Sequence, residues 1–200
     1  MAADVTTRWT VVIPVKGATG KSRLGAHDDG RLALAIALDT VEAALAAVAT
    51  VIVVTAEGER FTGATIVPDP GAGLGAAIEA GVAAADPDSG VAVLLGDLPG
   101  MRPEELVAAL KAAAGHPRSF VADADGTGTV LASARGGETH ELAFGPGSRA
   151  AHAAAGYVEL DGDWPGLKRD VDLPEHLDGL DLGPRTRREL ERLGFAHGPS

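Results

Sequence analysis

Cysteine is absent from the 200 residues, and with it go a disulfide framework, a thiolate metal site and a cysteine nucleophile. Aromatic residues make up only 4%, and Trp164 and Tyr157 read as packing residues rather than stacking platforms. Basic charge is also short, with 17 Lys and Arg against 28 Asp and Glu and a formal net charge of −11. Such a chain repels nucleic-acid backbones and anionic membranes unless its cations are gathered locally, so neither is expected as a partner. The most apolar stretch, Leu32 to Val54, is broken by Asp39, Thr40, Glu42 and Thr50 and is too polar to span a bilayer. The opening MAADVTTRWT has neither the basic nor the apolar region of a signal peptide. A soluble, cytoplasmic protein is the expectation.

What is present is a repeated alternation. Val11 to Val15 (VVIPV), Val51 to Thr55, Ala64 to Val67 and Val91 to Leu95 are short apolar runs suited to buried strands. Between them lie helix patterns over Arg31 to Ala49 and Ala76 to Ala85. A further helix runs from Pro103 to Ala114, with Pro at the first position and Glu104 and Glu105 in the first turn. Beyond Ser119, strands are expected at Phe120 to Ala122, Val130 to Ala134 and Tyr157 to Leu160, and helices at Arg149 to Ala155 and Arg185 to Leu193. This order predicts a three-layer α/β/α, Rossmann-like fold with a mainly parallel sheet. No repeat or linker divides the chain, so residues 1–200 are expected to form one domain.

Ligands of open α/β sheets bind beyond the carboxyl ends of the strands. After the first strand come Lys16, Lys21 and Arg23 among glycines. After the third come Asp69 and a glycine turn with Gly71, Gly73, Leu74 and Gly75. After the fourth comes Asp97. Backbone N–H groups, Lys and Arg suit a nucleoside triphosphate, and a carboxylate suits Mg²⁺. Gly20-Lys21-Ser22 is not a Walker P-loop, because Val15 stands where that motif needs glycine. Gly71-x-Gly73-x-x-Ala76 matches a relaxed dinucleotide fingerprint but follows the wrong strand, so a nicotinamide-dependent oxidoreductase is the weaker reading. Asp170-Val171-Asp172 would point two carboxylates the same way in extended chain, or else be a charged loop. Gly145 to Ser148 precede a helix, with Ser148 at the N-cap and the following N–H groups open to a phosphate or carboxylate. His140 and His152 lie nearby without any zinc-site spacing.

The ordered set Pro14-Val15-Lys16, Lys21-Ser22-Arg23-Leu24, Asp69-Pro70-Gly71-x-Gly73-Leu74 and Gly96-Asp97-Leu98-Pro99 resembles the nucleotidyltransferase fold of sugar-phosphate and molybdopterin nucleotidyltransferases. With GTGT, FGPGS and DVDLPEHL following, the chain is similar to the 2-phospho-L-lactate or phosphoenolpyruvate guanylyltransferases of coenzyme F-420 biosynthesis, over roughly Val11 to Leu177. The resemblance implies a nucleotide-diphospho-sugar transferase-like fold and transfer of GMP from GTP to phosphoenolpyruvate or 2-phospholactate. It further implies that Lys16, Lys21 and Arg23 hold the triphosphate, with Asp97 at the reacting centre. Gly71, Gly73, Leu74 and Gly75 would meet guanine and ribose. Asp97, Asp170 and Asp172 would hold Mg²⁺, while Thr129, Gly145 and Ser148 would bind the phospho-acid. Another phosphorylated acceptor (molybdopterin, a sugar or a polyol phosphate) and a non-catalytic GTP-binding protein are the alternatives. The residues leave the oligomeric state open, a homodimer included.

Overall fold

The computed structural model describes residues 8–15, 30–56, 60–171, 174–177 and 179–195. Within them the apolar runs form β1 (Trp9–Pro14), β2 (Thr50–Thr55), β3 (Thr65–Pro68), β4 (Gly90–Leu94), β5 (Arg118–Ala122), β6 (Thr129–Ala134) and a short β7 (Val158–Glu159). The helices are α1 (Arg31–Ala47), α2 (Leu74–Ala83), α3 (Pro103–Ala113), α4 (Ser148–Ala154), α5 (Pro165–Lys168) and α6 (Pro184–Arg192), with a 3₁₀ turn at Pro174–Leu177. The strands join in one sheet in the order β3-β2-β1-β4-β6-β5-β7. Pairing is parallel throughout except at β6, which runs antiparallel to both β4 and β5.

Period-two alternation sorts the side chains of β1 between two layers. Val11 and Ile13 pack with Ala37, Val41 and Ala44 of α1 and Leu106, Ala109 and Leu110 of α3. Val12 faces the other way, with Ile52, Val54 and Val93, onto Ala77 and Ile78 of α2. The result is the expected three-layer α/β/α arrangement. α2 lies so close to the sheet that a Cβ at Gly81 would collide with Val12 and Val54, so glycine here is a packing requirement. A smaller apolar cluster, Leu32, Ile36, Val171, Leu177, Leu182 and Leu190, fastens α6 to α1. Asp39 completes that joint: its carboxylate, only 6% exposed, accepts the N–H groups of Arg185 (3.2 Å) and Thr186 (2.8 Å). A side chain of α1 thus caps α6 from across the structure.

Several boundaries move. α2 begins at Leu74 rather than Ala76, because Gly73 at φ 94° already makes the turn and its carbonyl accepts the Ala77 N–H. Ser148 is the first helical residue of α4 and not its N-cap. Gly147, left-handed at φ 75°, takes the cap position with no side-chain bond, which frees the Ser148 hydroxyl for other work. The strand expected over Tyr157 to Leu160 pairs only at Val158 and Glu159. α5, a single turn started by Pro165, has too few residues to show a period. Among the described residues no helix is long and apolar enough to cross a membrane.

Candidate active site

A cleft of about 840 Å³ opens beyond the carboxyl ends of β1 and β4. The chain leaves β1 at its wall, at Pro14 and Val15, and leaves β4 through Leu95, Gly96 and Asp97. Gly96 is squeezed against the first strand, where a Cβ would stand 3.2 Å from the Pro14 carbonyl oxygen and 3.3 Å from Val15. Asp97 is carried on a turn bound from three directions. The Leu98 N–H donates to the buried Thr40 Oγ1 of α1 (3.1 Å), and that hydroxyl donates to the Ile36 carbonyl (2.9 Å). The Asp97 carbonyl accepts the Val171 N–H (3.0 Å), and the Pro99 carbonyl accepts the Gly183 N–H (2.9 Å). Glu105, 4% exposed, accepts the N–H groups of Arg102 (2.9 Å) and Gly166 (3.0 Å), which holds α5 against the same turn. The Asp97–Val171 bond brings the second acidic segment to the cleft, and Asp170 lines it too.

The opposite wall is the hairpin between β5 and β6. Asp123 organises it by accepting the N–H groups of Thr127 (2.9 Å) and Gly128 (2.7 Å), the local side-chain-to-backbone turn that Asp favours. A Cβ at Gly128 would strike that carboxylate. Arg149 of α4 clamps the hairpin by donating to the Gly126 carbonyl (2.9 Å) and pairs with Glu159 (3.0 Å). Because β6 runs antiparallel to β4, its first residue, Thr129, lies at this same sheet edge. Thr129, Gly145 and Ser148 all line the cleft, and Thr129 and Ser148 are 3% and 2% exposed. The Ser148 hydroxyl is buried and has no hydrogen-bond partner among the described residues. An orphaned buried hydroxyl is costly unless a ligand takes it up.

The sequence-predicted residues divide as follows. Asp97, Asp170, Leu74, Thr129, Gly145 and Ser148 share the one cleft. Gly75 instead lines a neighbouring cavity of about 660 Å³ beneath α2 and the segment 134–144. Gly71 and Gly73 line neither, although Asp69 holds their turn by accepting the Gly71 N–H (2.8 Å). Lys16, Lys21, Arg23 and Asp172 lie outside the described residues. Asp123 was missed, although Asp-x-x-x-Thr-Gly before a strand is a readable Asx turn. His152 was passed over for want of metal-ligand spacing, yet it is fully buried and bonded to Thr129 of this wall.

The electrostatics are one-sided. The described lining includes the carboxylates Asp97, Asp123, Asp125 and Asp170 against a single guanidinium, Arg169. Asp123 is already satisfied by backbone N–H groups. Asp97 and Asp170, which both line the cleft, offer hard oxygen donors of the kind a small divalent cation takes alongside phosphate oxygens. Among the described residues no group of three His, Asp or Glu is close enough to cage a metal alone, and the third carboxylate of the predicted trio is Asp172.

The family model described as the MobA-like NTP transferase domain matches residues 20–170. The chain belongs to that family. Among relatives of this MobA-like transferase, the phosphoenolpyruvate guanylyltransferase of Geodermatophilus obscurus is 48% identical over 89% of this chain and 92% of its own. The protein of the same name from Salinispora arenicola is 49% identical over 91% and 93%. Among solved structures, Rv0371c from Mycobacterium tuberculosis superimposes with a TM-score of 0.59 at 22% identity, covering 92% of this chain and 98% of that one. The 4-diphosphocytidyl-2C-methyl-D-erythritol synthase of Anaerococcus prevotii gives 0.56 at 13% identity, covering 86% and 95%. The structural likenesses speak for the fold, and the sequence relatives place the chain on the guanylyltransferase branch of this family.

Proposed function

We propose that this enzyme transfers GMP from GTP to phosphoenolpyruvate and releases pyrophosphate, as a cytoplasmic step of coenzyme F-420 biosynthesis. The single observation that carries the reading is that one cleft joins the acidic pair, Asp97 and Asp170, to the hydroxyl-and-glycine wall of Thr129, Gly145 and Ser148. This is the layout a phosphate-to-phosphate transfer needs, with the nucleotide on one side and the phospho-acid on the other. The names of the relatives supply the identity of both substrates.

In the reaction an oxygen of the acceptor phosphate bonds to the α-phosphorus as the bond from that phosphorus to the bridging oxygen breaks. Pyrophosphate leaves with the electron pair, and the product carries a new phosphoanhydride. The attacking phosphate is ionised at neutral pH, so no general base is required. Two like unit charges about 4 Å apart repel by roughly 4 kcal/mol at an effective dielectric near 20, so the site must supply positive charge and fixed geometry. Asp97, Asp170 and Asp172 would hold Mg²⁺, which when bound offsets phosphate charge and polarises the α-phosphoryl group. Lys16, Lys21 and Arg23 steady the departing pyrophosphate. The Asp69 to Gly75 turn reaches the cleft through Leu74 and meets the guanosine. Thr129 and Ser148 donate hydroxyl protons to hold the phospho-acid, since the N–H groups of Ser148 and Arg149 at the start of α4 are already taken by the Gly145 and Thr127 carbonyls. Asp97→Asn, assayed by pyrophosphate release from GTP, Mg²⁺ and phosphoenolpyruvate, should lose at least about a hundredfold in turnover, the scale of an electrostatic centre in phosphoryl chemistry. Near-normal turnover would remove Asp97 from the site. Mass spectrometry of the products from phosphoenolpyruvate and from 2-phospholactate separates the two acceptors.

A further inference from the structure

His152 lies four residues beyond Ser148 on α4, wholly buried, and bonds to both β6 and the segment that leads to Gly145. Its Nδ1 is 3.0 Å from Thr129 Oγ1 on β6. Its Nε2 is 3.2 Å from the backbone nitrogen of Ala143, two residues before Gly145. A peptide N–H can only donate, so Nε2 must offer its lone pair, and the ring's proton sits on Nδ1. Phe120 stacks on the imidazole at 5.8 Å, while Phe144 (5.3 Å) and Tyr157 (5.2 Å) present their edges. This apolar cage fixes the ring plane and favours the neutral form.

The tautomer decides the polarity of Thr129. With Nδ1 protonated, the Thr129 oxygen accepts, and its own hydrogen must turn elsewhere. No other partner for it is found among the described residues, and Thr129 lines the cleft. A hydroxyl forced to donate, beside the unpartnered hydroxyl of Ser148, is matched to anionic oxygen and mismatched to a donor group. We propose that His152 is a positioning residue: its neutral, Nδ1-protonated ring, with the tautomer set by the Ala143 N–H, holds Thr129 as a donor for the cleft. It thereby sets the affinity for the phospho-acid without touching it. This rests on the reading of the wall as the phosphoenolpyruvate subsite.

Three variants separate the contacts. His152→Asn places an amide N–H where Nδ1 was, His152→Gln places its amide where Nε2 was, and His152→Phe keeps the ring and loses both bonds. The KM for phosphoenolpyruvate should rise about tenfold or more in the Gln and Phe variants, the scale of a misdirected hydrogen bond to a charged group. The Asn variant should stay within a few-fold of the wild type, and the KM for GTP should hold in all three. In a Thr129→Val background, His152→Phe should add no more than about a twofold loss, because its effect passes through the missing hydroxyl. An equal rise in both KM values, or the same loss with and without Thr129, would overturn the inference and leave His152 a core residue. Long-range ¹H–¹⁵N NMR of histidine-labelled protein needs no turnover and should show Nδ1 protonated; an Nε2-protonated ring overturns the proposal whatever the kinetics. Failure of the wild-type protein to release pyrophosphate from GTP and phosphoenolpyruvate would instead count against the substrate reading, and the tautomer would still decide the role of His152.

Discussion

Thr40→Val tests how the position of Asp97 is maintained. Thr40 is fully buried on α1, with its oxygen accepting the N–H of Leu98 at 3.1 Å and its proton going to the Ile36 carbonyl at 2.9 Å. Valine fills nearly the same volume, so no cavity term enters. What is lost is the sole side-chain acceptor of a peptide N–H in a turn whose Leu98 is itself 0% exposed. Leaving such a donor unpaired costs about 1–3 kcal/mol. For a chain of this length each kcal/mol corresponds to roughly 2–4 °C, so the melting temperature should fall by about 2–12 °C. Thr40→Ser keeps the hydroxyl and forfeits only a methyl, about 1 kcal/mol. Thermal unfolding should therefore rank wild type above Ser above Val. Pyrophosphate release should fall further in Val than in Ser once both are assayed well below their melting points, because only Val unpins the residue adjoining Asp97. A valine variant with wild-type melting and wild-type turnover would refute the claim that this hydroxyl holds the turn.

Other outcomes follow from the same geometry. Ser148→Ala removes an unpartnered buried hydroxyl, so it should leave stability unchanged or slightly improved while raising the KM for phosphoenolpyruvate and sparing that for GTP. Gly81→Ala should destabilise by roughly 1–3 kcal/mol, read by urea unfolding, since its methyl meets Val12 and Val54 at the sheet. His140, whose ring is held between the Val91 carbonyl and Tyr157, has its pKa pushed down from 6.5 to about 4, first by burial and then by the nearby Arg118 charge. The folded state therefore binds fewer protons than the unfolded one between those values. Stability should be complete above about pH 6.5 and decline towards pH 4 by up to about 3 kcal/mol. His140→Gln should flatten that decline in urea titrations at pH 7 and 4.5.

The sheet was legible because Val11 to Val15, Val51 to Thr55 and Val91 to Leu95 are short, nearly continuous apolar runs, and buried parallel strands read that way. The Asp97 turn and the FGPGS helix start were legible for a related reason, as both sit where a strand or helix must stop. Boundaries shifted where glycine rather than a side chain did the capping, at Gly73 and Gly147. Asp123 and His152 escaped because their importance arises from tertiary contacts. Asp123 becomes an organiser only when the hairpin closes, and His152 only when β6, the Ala143 segment and α4 converge. Gly75 lines the neighbouring cavity and not the cleft because Leu74 already begins α2, and successive helical residues face about 100° apart.

The reversal of β6 carries a consequence for how this enzyme can change. The parallel strands deliver their chain exits to the cleft, while the one inverted strand delivers its entrance. The two halves of the cleft are therefore built from separate stretches, the earlier strands and turns joined by the segment around Asp170 on one side and the contiguous 123–152 stretch on the other. If the phospho-acid sits on the 123–152 wall as proposed, a change of acceptor needs changes only in that one continuous stretch of chain.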